Sequence, residues 1–314
     1  MSRWDISDPD RVHSPETRAP KGEPSTELDS ASVSIGRGGS SESSSDDVER
    51  RERAPEPAVQ RTPERRARHQ DRGRTYLLRS SEMEAMIDMG RFRTVDVRDL
   101  ARFVYRGDAP RMNQDLQNLR GQGLIEEKTV FRAHKPARKV VTLTNAGHRV
   151  VSKASGLSEG QRIYHGFVKP KELDHDADLY KVYQKAAQEI QEKGGNLLRV
   201  RLDFELKESV NRAKEAAGRL SGEERARLLN AVARENGLTI KGTTIHLPDI
   251  QVEYETREGQ MERENLELLS KNYREEGIRG KVGAGFTIYA RSGEATRVRR
   301  ALGDTGFIRE VLSV

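Results

Sequence analysis

Apolar residues recur at regular spacing in some stretches of this chain and are nearly absent in others, and that contrast predicts its elements. Residues 1 to about 73 carry almost no apolar periodicity. Beyond Thr75 the pattern turns helical: Ser80 or Ser81 is placed to cap a helix running through Met89, with Gly90 as its stop. Val97, Leu100, Ala101 and Val104 share one face of a second helix, Asp96 to Tyr105. Met112, Leu116 and Leu119 do the same for a third, Pro110 to Gln122, which opens on proline and closes on Gly121 and Gly123. Two strand-like runs follow, Leu124 to Arg132 and Lys139 to Thr144, and then a helix from Asn145 through Ala154.

The second half begins after a glycine- and lysine-containing stretch with a Lys169-Pro170-Lys171 turn. Leu179, Val182, Tyr183, Ala186 and Ile190 stripe a helix from Asp174 to Lys193. Leu198 to Leu206 alternates apolar and polar residues as a half-buried strand, with helices expected at about 207–218 and 221–236. Ile250, Val252 and Tyr254 then alternate with polar residues, as do Leu266 and Leu268, and Gly259 marks a turn between the two runs. A helix over Lys271 to Val282, a strand at Phe286 to Tyr289, a helix over Glu294 to Leu302 and a strand at Phe307 to Leu312 complete the order. The expected division is a tail at 1–73, a first folded unit at 74–155, a linker at 156–173 and a second unit at 174–314.

Composition sharpens this reading. Of 314 residues, 34% are hydrophobic and 34% charged, so part of the chain cannot bury enough apolar surface to offset its ordering entropy. The tail, with SSESSSDD (Ser40 to Asp47) followed by RRARHQDRGR (Arg65 to Arg74), is the part expected to be disordered. Its basic end could add phosphate contacts to a neighbouring domain. The absence of cysteine excludes disulfides, thiolate zinc sites and a cysteine nucleophile, and no histidine pair has metal-ligand spacing. No run reaches the length of a membrane span or resembles a signal peptide, so the expected location is cytoplasmic with no membrane partner. A net charge of +6 favours an anionic partner.

That partner is double-stranded DNA if the third helix is read by its polar residues. Arg111, Asn113, Gln114, Gln117, Asn118 and Arg120 are the side chains that pair with guanine and adenine edges in a major groove. The two following strands close on His134-Lys135-Pro136-Ala137-Arg138, and Lys128, Arg132, Lys135 and Arg138 make that hairpin basic. Three helices and a basic hairpin describe a winged helix-turn-helix, with the third helix in the groove and the wing on the backbone. A protein–protein module is the alternative use of such a unit, and a homodimer is left open.

The second unit carries candidate chemistry at Asp249 and Glu267. Asp249, Gln251 and Glu253 share one strand face, and if the two runs pair with apolar sides aligned, Glu267 joins Asp249 there. Neighbouring carboxylates suit Mg²⁺ or Mn²⁺, which prefer oxygen ligands; a half-buried hairpin with a solvated acidic face is the plainer reading. The order helix, strand, inserted helices, Pro-Asp strand, Glu strand, helix, strand resembles the restriction-endonuclease-like P-D…(D/E)-x-K superfamily. That resemblance implies an α+β or α/β mixed-sheet domain in which Asp249 and Glu267 hold the metal and Glu189 of the first helix is an additional acid. The lysine expected two residues after Glu267 is Leu269, so Lys271 or Lys281 would have to supply it.

Pro248-Asp249, Glu267, Tyr273-Arg274, Lys281 and Ala284-Gly285-Phe286 to Tyr289, behind a winged helix, are similar to the replication-relaxation family of mobile elements. The resemblance implies DNA binding in replication, mobilisation or regulation of a plasmid or related element, with a nuclease-like domain whose activity the missing lysine puts in question. A Mg²⁺-dependent endonuclease or nickase is the alternative, and a transcriptional regulator with a C-terminal dimerisation or partner domain is the other. Tyr273 as a DNA-attacking nucleophile lacks an accompanying histidine cluster, and His246 reads as structural.

Overall fold

The computed structural model describes residues 65–132, 135–169, 172–241, 244–269, 273–291, 294 and 308–311, all within the unit Glu64–Val314. It is a mixed α+β chain. Its first described elements are a hairpin of β1 (Ala67–Asp71), in the stretch expected as tail, and β2 (Arg74–Leu78), at the start of the first expected unit. The tail expectation for residues 1–64 lies outside the described residues. The hairpin escaped notice because few of its residues are apolar: Tyr76 and Leu78 face inward, and Asp71 is buried against Arg149 and Lys153 at 2.8 and 2.7 Å.

Three helices follow: α1 (Ser80–Phe92), α2 (Val97–Phe103) after the short β3 (Val95–Asp96), and α3 (Ala109–Gly121). Asp96 caps α2 by accepting from the Arg98 amide at 2.8 Å, and Asp108 caps α3 from the Arg111 amide at 3.1 Å. Each satisfies a donor that the first helical turn leaves unpaired. Gly90 does not stop α1 but lies inside it. A Cβ there would sit 2.6 Å from Ile163 Cγ2, so only glycine allows the segment around Ile163 to pack so closely. A three-stranded antiparallel sheet, β3–β5–β4, is completed by β4 (Ile125–Arg132) and β5 (Lys135–Leu143), and α4 (Asn145–Val151) closes this half.

In the second half α5 (Leu173–Glu192) precedes β6 (Asn196–Leu202), α6 (Asp203–Ala217), α7 (Gly222–Glu235) and the small hairpin of β7 (Ile240–Lys241) and β8 (Thr244–Ile245). Next come β9 (Ile250–Glu255), β10 (Met261–Leu269), α8 (Glu275–Val282), β11 (Thr287–Arg291) and β12 (Ile308–Val311). The sheet runs β12–β11–β10–β9–β6; β6, β9 and β10 pair antiparallel, while β10, β11 and β12 are parallel. The strand expected to reach Leu206 stops at Leu202, because the Glu205 carboxylate accepts from the Leu202 amide at 3.3 Å and turns the chain into α6. Leu206, Val210, Leu229, Ala233, Leu238 and Ile245 form a core of their own for the inserted helices.

One continuous apolar core joins the halves, from Met86, Phe92 and Leu119 through Tyr180, Tyr183 and Ala186 to Val200, Val252 and Leu266. Phe92 packs against Tyr180 and Tyr183 with ring centroids 5.3 and 5.0 Å apart. The stretch expected as a linker belongs to this packing: Ile163 is buried, the Tyr164 amide donates to Gly90 O at 2.7 Å, and Gln161 bonds the Val200 amide at 2.9 Å.

Arg138 corrects the sequence reading most sharply. Expected on the basic hairpin facing DNA, it is 2% exposed and donates to Asp96 at 2.7 Å, to Asp178 at 2.9 Å and to Asp174 at 3.3 Å. Arg291 holds the other side of Asp178 at 2.7 Å, and Lys181 lies 3.8 Å from Asp99. Burial works against the Asp178 charge, but Arg138 and Arg291 outweigh it and hold the carboxyl below its usual range. Asp99, more weakly compensated, is pushed by burial up to about 6. A buried cation shared by acids from α2 and α5 cannot be removed without stranding them. Arg138→Ala is therefore expected to cost about 3–5 kcal/mol in chemical denaturation. A loss below about 1 kcal/mol would contradict this placement.

Candidate functional site

Two surfaces carry the predicted residues. On α3, apolar Met112, Leu116 and Leu119 face the core and leave Asn113, Gln114, Gln117 and Arg120 exposed. Asn113, Gln117 and Arg120 line a cleft of about 350 Å³ with Val97, Glu127 and Lys139. Gln114 is exposed but accepts from Arg79 at 2.9 Å. Lys128 and Lys139 are exposed on β4 and β5; the side chains of Arg132 and Lys135 lie outside the described residues.

Two α3 residues have other tasks. Asn118 donates to the buried Glu82 carboxylate at 2.7 Å, and Arg111 donates to Ser81 Oγ at 3.2 Å, whose hydroxyl donates to buried Asp115 at 2.6 Å. Glu82 and Asp115 are buried in the α1–α3 seam and need these donors. Composition placed all six polar residues on one reading face; the partners on α1 divide them.

On the mixed sheet, the β9–β10 register sets Leu266 opposite Ile250, which brings Glu267 opposite Asp249 as expected from aligned apolar faces. The Asp249 amide donates to Glu267 Oε2 at 3.2 Å, and the Leu268 amide donates to Asp249 Oδ2 at 2.9 Å. Lys281, reaching over from α8, lies 2.9 Å from Glu267 Oε1 and donates to Leu247 O at 2.6 Å. The Tyr273 hydroxyl donates to Glu267 Oε1 at 2.5 Å. Tyr273 is thus held by the acid rather than poised to attack. Lys271 lies outside the described residues. Glu189 is not near the pair: it is fourteen residues along α5 from His175, about 21 Å at the helical rise. His175, near the start of α5, is the α5 residue at the site, with Nε2 3.6 Å from Asp249 Oδ2.

His175 escaped the sequence reading, although the triplet Asp174-His175-Asp176 at a helix start is visible in the chain. Burial opposes its charge, but hydrogen bonds with Asp176 and Asp249 raise its pKa to about 10. Asp249 is held below its usual range: burial pushes it up, and His175 more than offsets that. Glu267 is fully buried, and burial together with the neighbouring Asp249 pushes it up to about 7 against Lys281 and Tyr273. His246, beside Leu247, is lowered by burial and by Lys281 and Lys241.

The oxygens of Asp249, Glu267 and Leu247 are the right chemistry for a hard cation. As arranged they do not fit one, because the Lys281 ammonium already lies between Glu267 and Leu247. Among the described residues no group of three or more acidic or histidine side chains forms a metal cage. No helix there is long and apolar enough to cross a membrane.

The raised pKa of Glu267 gives a pH test. Its ionisation is penalised in the fold, so the stability it contributes below about pH 4.5 is lost as the pH rises towards about 7. His175 and Asp249 stay charged across that window, and Asp99 is common to both proteins. Glu267→Gln should therefore gain stability relative to wild type between about pH 5 and pH 8 in thermal unfolding. A difference that does not change with pH would contradict the buried, acid-flanked setting.

Compared with known proteins, the chain matches no family model and no curated protein. Among solved structures it is similar to one described as the crystal structure of Bacillus subtilis PadR in complex with operator DNA, at 12% identity and a TM-score of 0.19. The match covers 50% of this chain and 90% of that one. At that score the likeness carries no argument about fold or function.

Proposed function

We propose that the chain binds double-stranded DNA through a winged helix, with α3 entering the major groove and the β4–β5 wing on the backbone. One observation carries this reading. Asn113, Gln117 and Arg120 of α3 stand exposed on one stripe and line a cleft with Lys139 of β5, where Arg120 and Lys139 share Glu127 at 3.9 and 3.1 Å. Amide and guanidinium side chains at that spacing suit bidentate contacts with adenine and guanine. Replication, mobilisation or regulation of a mobile element is the biological setting that the resemblance to the replication-relaxation family supports.

A second reading, metal-dependent cleavage of DNA by a restriction-endonuclease-like domain, is favoured by the convergence of Asp249, Glu267 and Lys281. Lys281 comes from the helix after the Glu strand, which answers the lysine missing at Leu269. Against it stands the neutralisation of both carboxylates inside the protein, by Lys281 and Tyr273 on one and by His175 on the other. We therefore favour duplex binding through α3 over cleavage at this site.

Both readings are tested on supercoiled plasmid carrying the chain's own upstream region, in Mg²⁺, Mn²⁺ or EDTA. Retarded but uncut plasmid is expected in every lane. Metal-dependent nicking that Asp249→Ala abolishes would establish the second reading, and failure to retard the plasmid would overturn the first. Asn113→Ala, Gln117→Ala and Arg120→Ala should each weaken specific binding by about 1–3 kcal/mol. Asn118→Ala should instead lower stability by about 1–3 kcal/mol, since it leaves buried Glu82 short of a donor.

A further inference from the structure

The hairpin β1–β2 points to a role of its own in DNA contact, and the assignment rests on the duplex-binding reading. It is fastened to the last turns of α3: the Leu77 amide donates to Gln122 Oε1 at 3.1 Å, Gln122 Nε2 donates back to Leu77 O at 3.2 Å, and Asn118 Nδ2 reaches Leu77 O at 3.4 Å. Asn118 and Gln122 lie roughly 150° around the helix from the stripe of Asn113, Gln117 and Arg120 that meets the wing. The hairpin and the wing therefore flank α3 on opposite sides. A helix seated in a major groove has a phosphate strand on either side of it.

The charges of the hairpin are distributed to suit that place. Its one acidic residue, Asp71, is buried and turned to α4, where Lys153 and Arg149 hold its carboxyl below the usual range. Arg68, Arg72 and Arg74 are exposed. Arg72 and Gly73 form the tip with φ of 47° and 77°, the left-handed pair of a type I′ hairpin turn. A non-glycine residue rarely takes that conformation, and here it sets an arginine at the tip, braced by the Asp71 anchor directly behind it. The cations are thus presented on a paired two-stranded arm tied down at Asp71.

We infer that β1–β2 is a second wing, in which Arg68, Arg72 and Arg74 contact the duplex phosphate backbone on the side of α3 opposite the β4–β5 wing. Contacts of this kind supply affinity and salt dependence without reading sequence. Tyr76, Leu78 and Asp71, which hold the hairpin to the core, are untouched by changing the three arginines.

The test uses the full chain and two labelled duplexes of equal length, one from its own upstream region and one of scrambled sequence, titrated by fluorescence anisotropy across a salt series. Replacing all three arginines by alanine should weaken binding to both duplexes by a similar factor, roughly tenfold or more at low salt. It should also flatten the log Kd against log salt slope by about 2–3, near 0.9 per lost phosphate contact. The triple lysine variant should keep most of the slope. An unchanged slope in the alanine variant would overturn the inference, as would a loss confined to the upstream duplex or a lysine variant as weak as the alanine one. If wild type binds neither duplex, the duplex-binding reading itself fails and this assignment with it.

Discussion

The fold turns on a buried guanidinium. Arg138 leaves β5 and meets acids contributed by β3 and α2 on one side and by α5 on the other. Ion pairs at a surface contribute little, but Arg138, Asp96 and Asp99 are out of water, and burying these two acids is tolerable because cations are beside them. The consequence is mechanical. The β4–β5 hairpin, the helix that precedes α3 and the first helix of the sheet half are tied at one point. Arg291 on β11 extends the tie into the mixed sheet through Asp178. With the shared core of Phe92, Tyr180 and Tyr183, this makes α3, the β4–β5 hairpin and the acidic site parts of one body rather than two domains on a linker.

Periodicity revealed most of the architecture, because most elements bury one face. The three helices before the wing, the long helix α5 and the β9–β10 pairing all announce themselves through apolar residues at spacings of two or three to four. The same pairing set Glu267 against Asp249, since register follows from which faces are apolar. Residues whose role depends on a partner distant in sequence were not legible. Arg138 looks like any wing arginine until α5 is folded against it, and Asn118 and Arg111 look like base-reading side chains until α1 supplies Glu82 and Ser81. The hairpin β1–β2 was hidden for a related reason: an ion pair to α4 fixes it where an apolar stripe would have been visible. Gly90 reads as a helix stop by residue type, yet its lack of a side chain serves a close packing contact inside the helix.

At the acidic site the balance of charge is the informative feature. Asp249 and Glu267 stand side by side on adjacent strands, an arrangement that repels unless cations are close. The protein supplies them itself, Lys281 from α8 and His175 from α5, with Tyr273 donating a further hydrogen bond. Lys281 is anchored by the Leu247 carbonyl as well, so it is a fixed member of the cluster. Both carboxylates are thus answered by the protein's own groups, and the remaining cost falls on Glu267, whose ionisation burial and Asp249 oppose.

Where a duplex lies on the protein is the decisive observation. Hydrogen–deuterium exchange of the full chain, with and without a duplex from its own upstream region, reads this directly. Protection is predicted in α3 and in both flanking hairpins, β1–β2 and β4–β5, with little change around Asp249 and Glu267. Protection centred on β9, β10 and α8, with α3 unaffected, would contradict it and shift the DNA-binding surface to the mixed sheet.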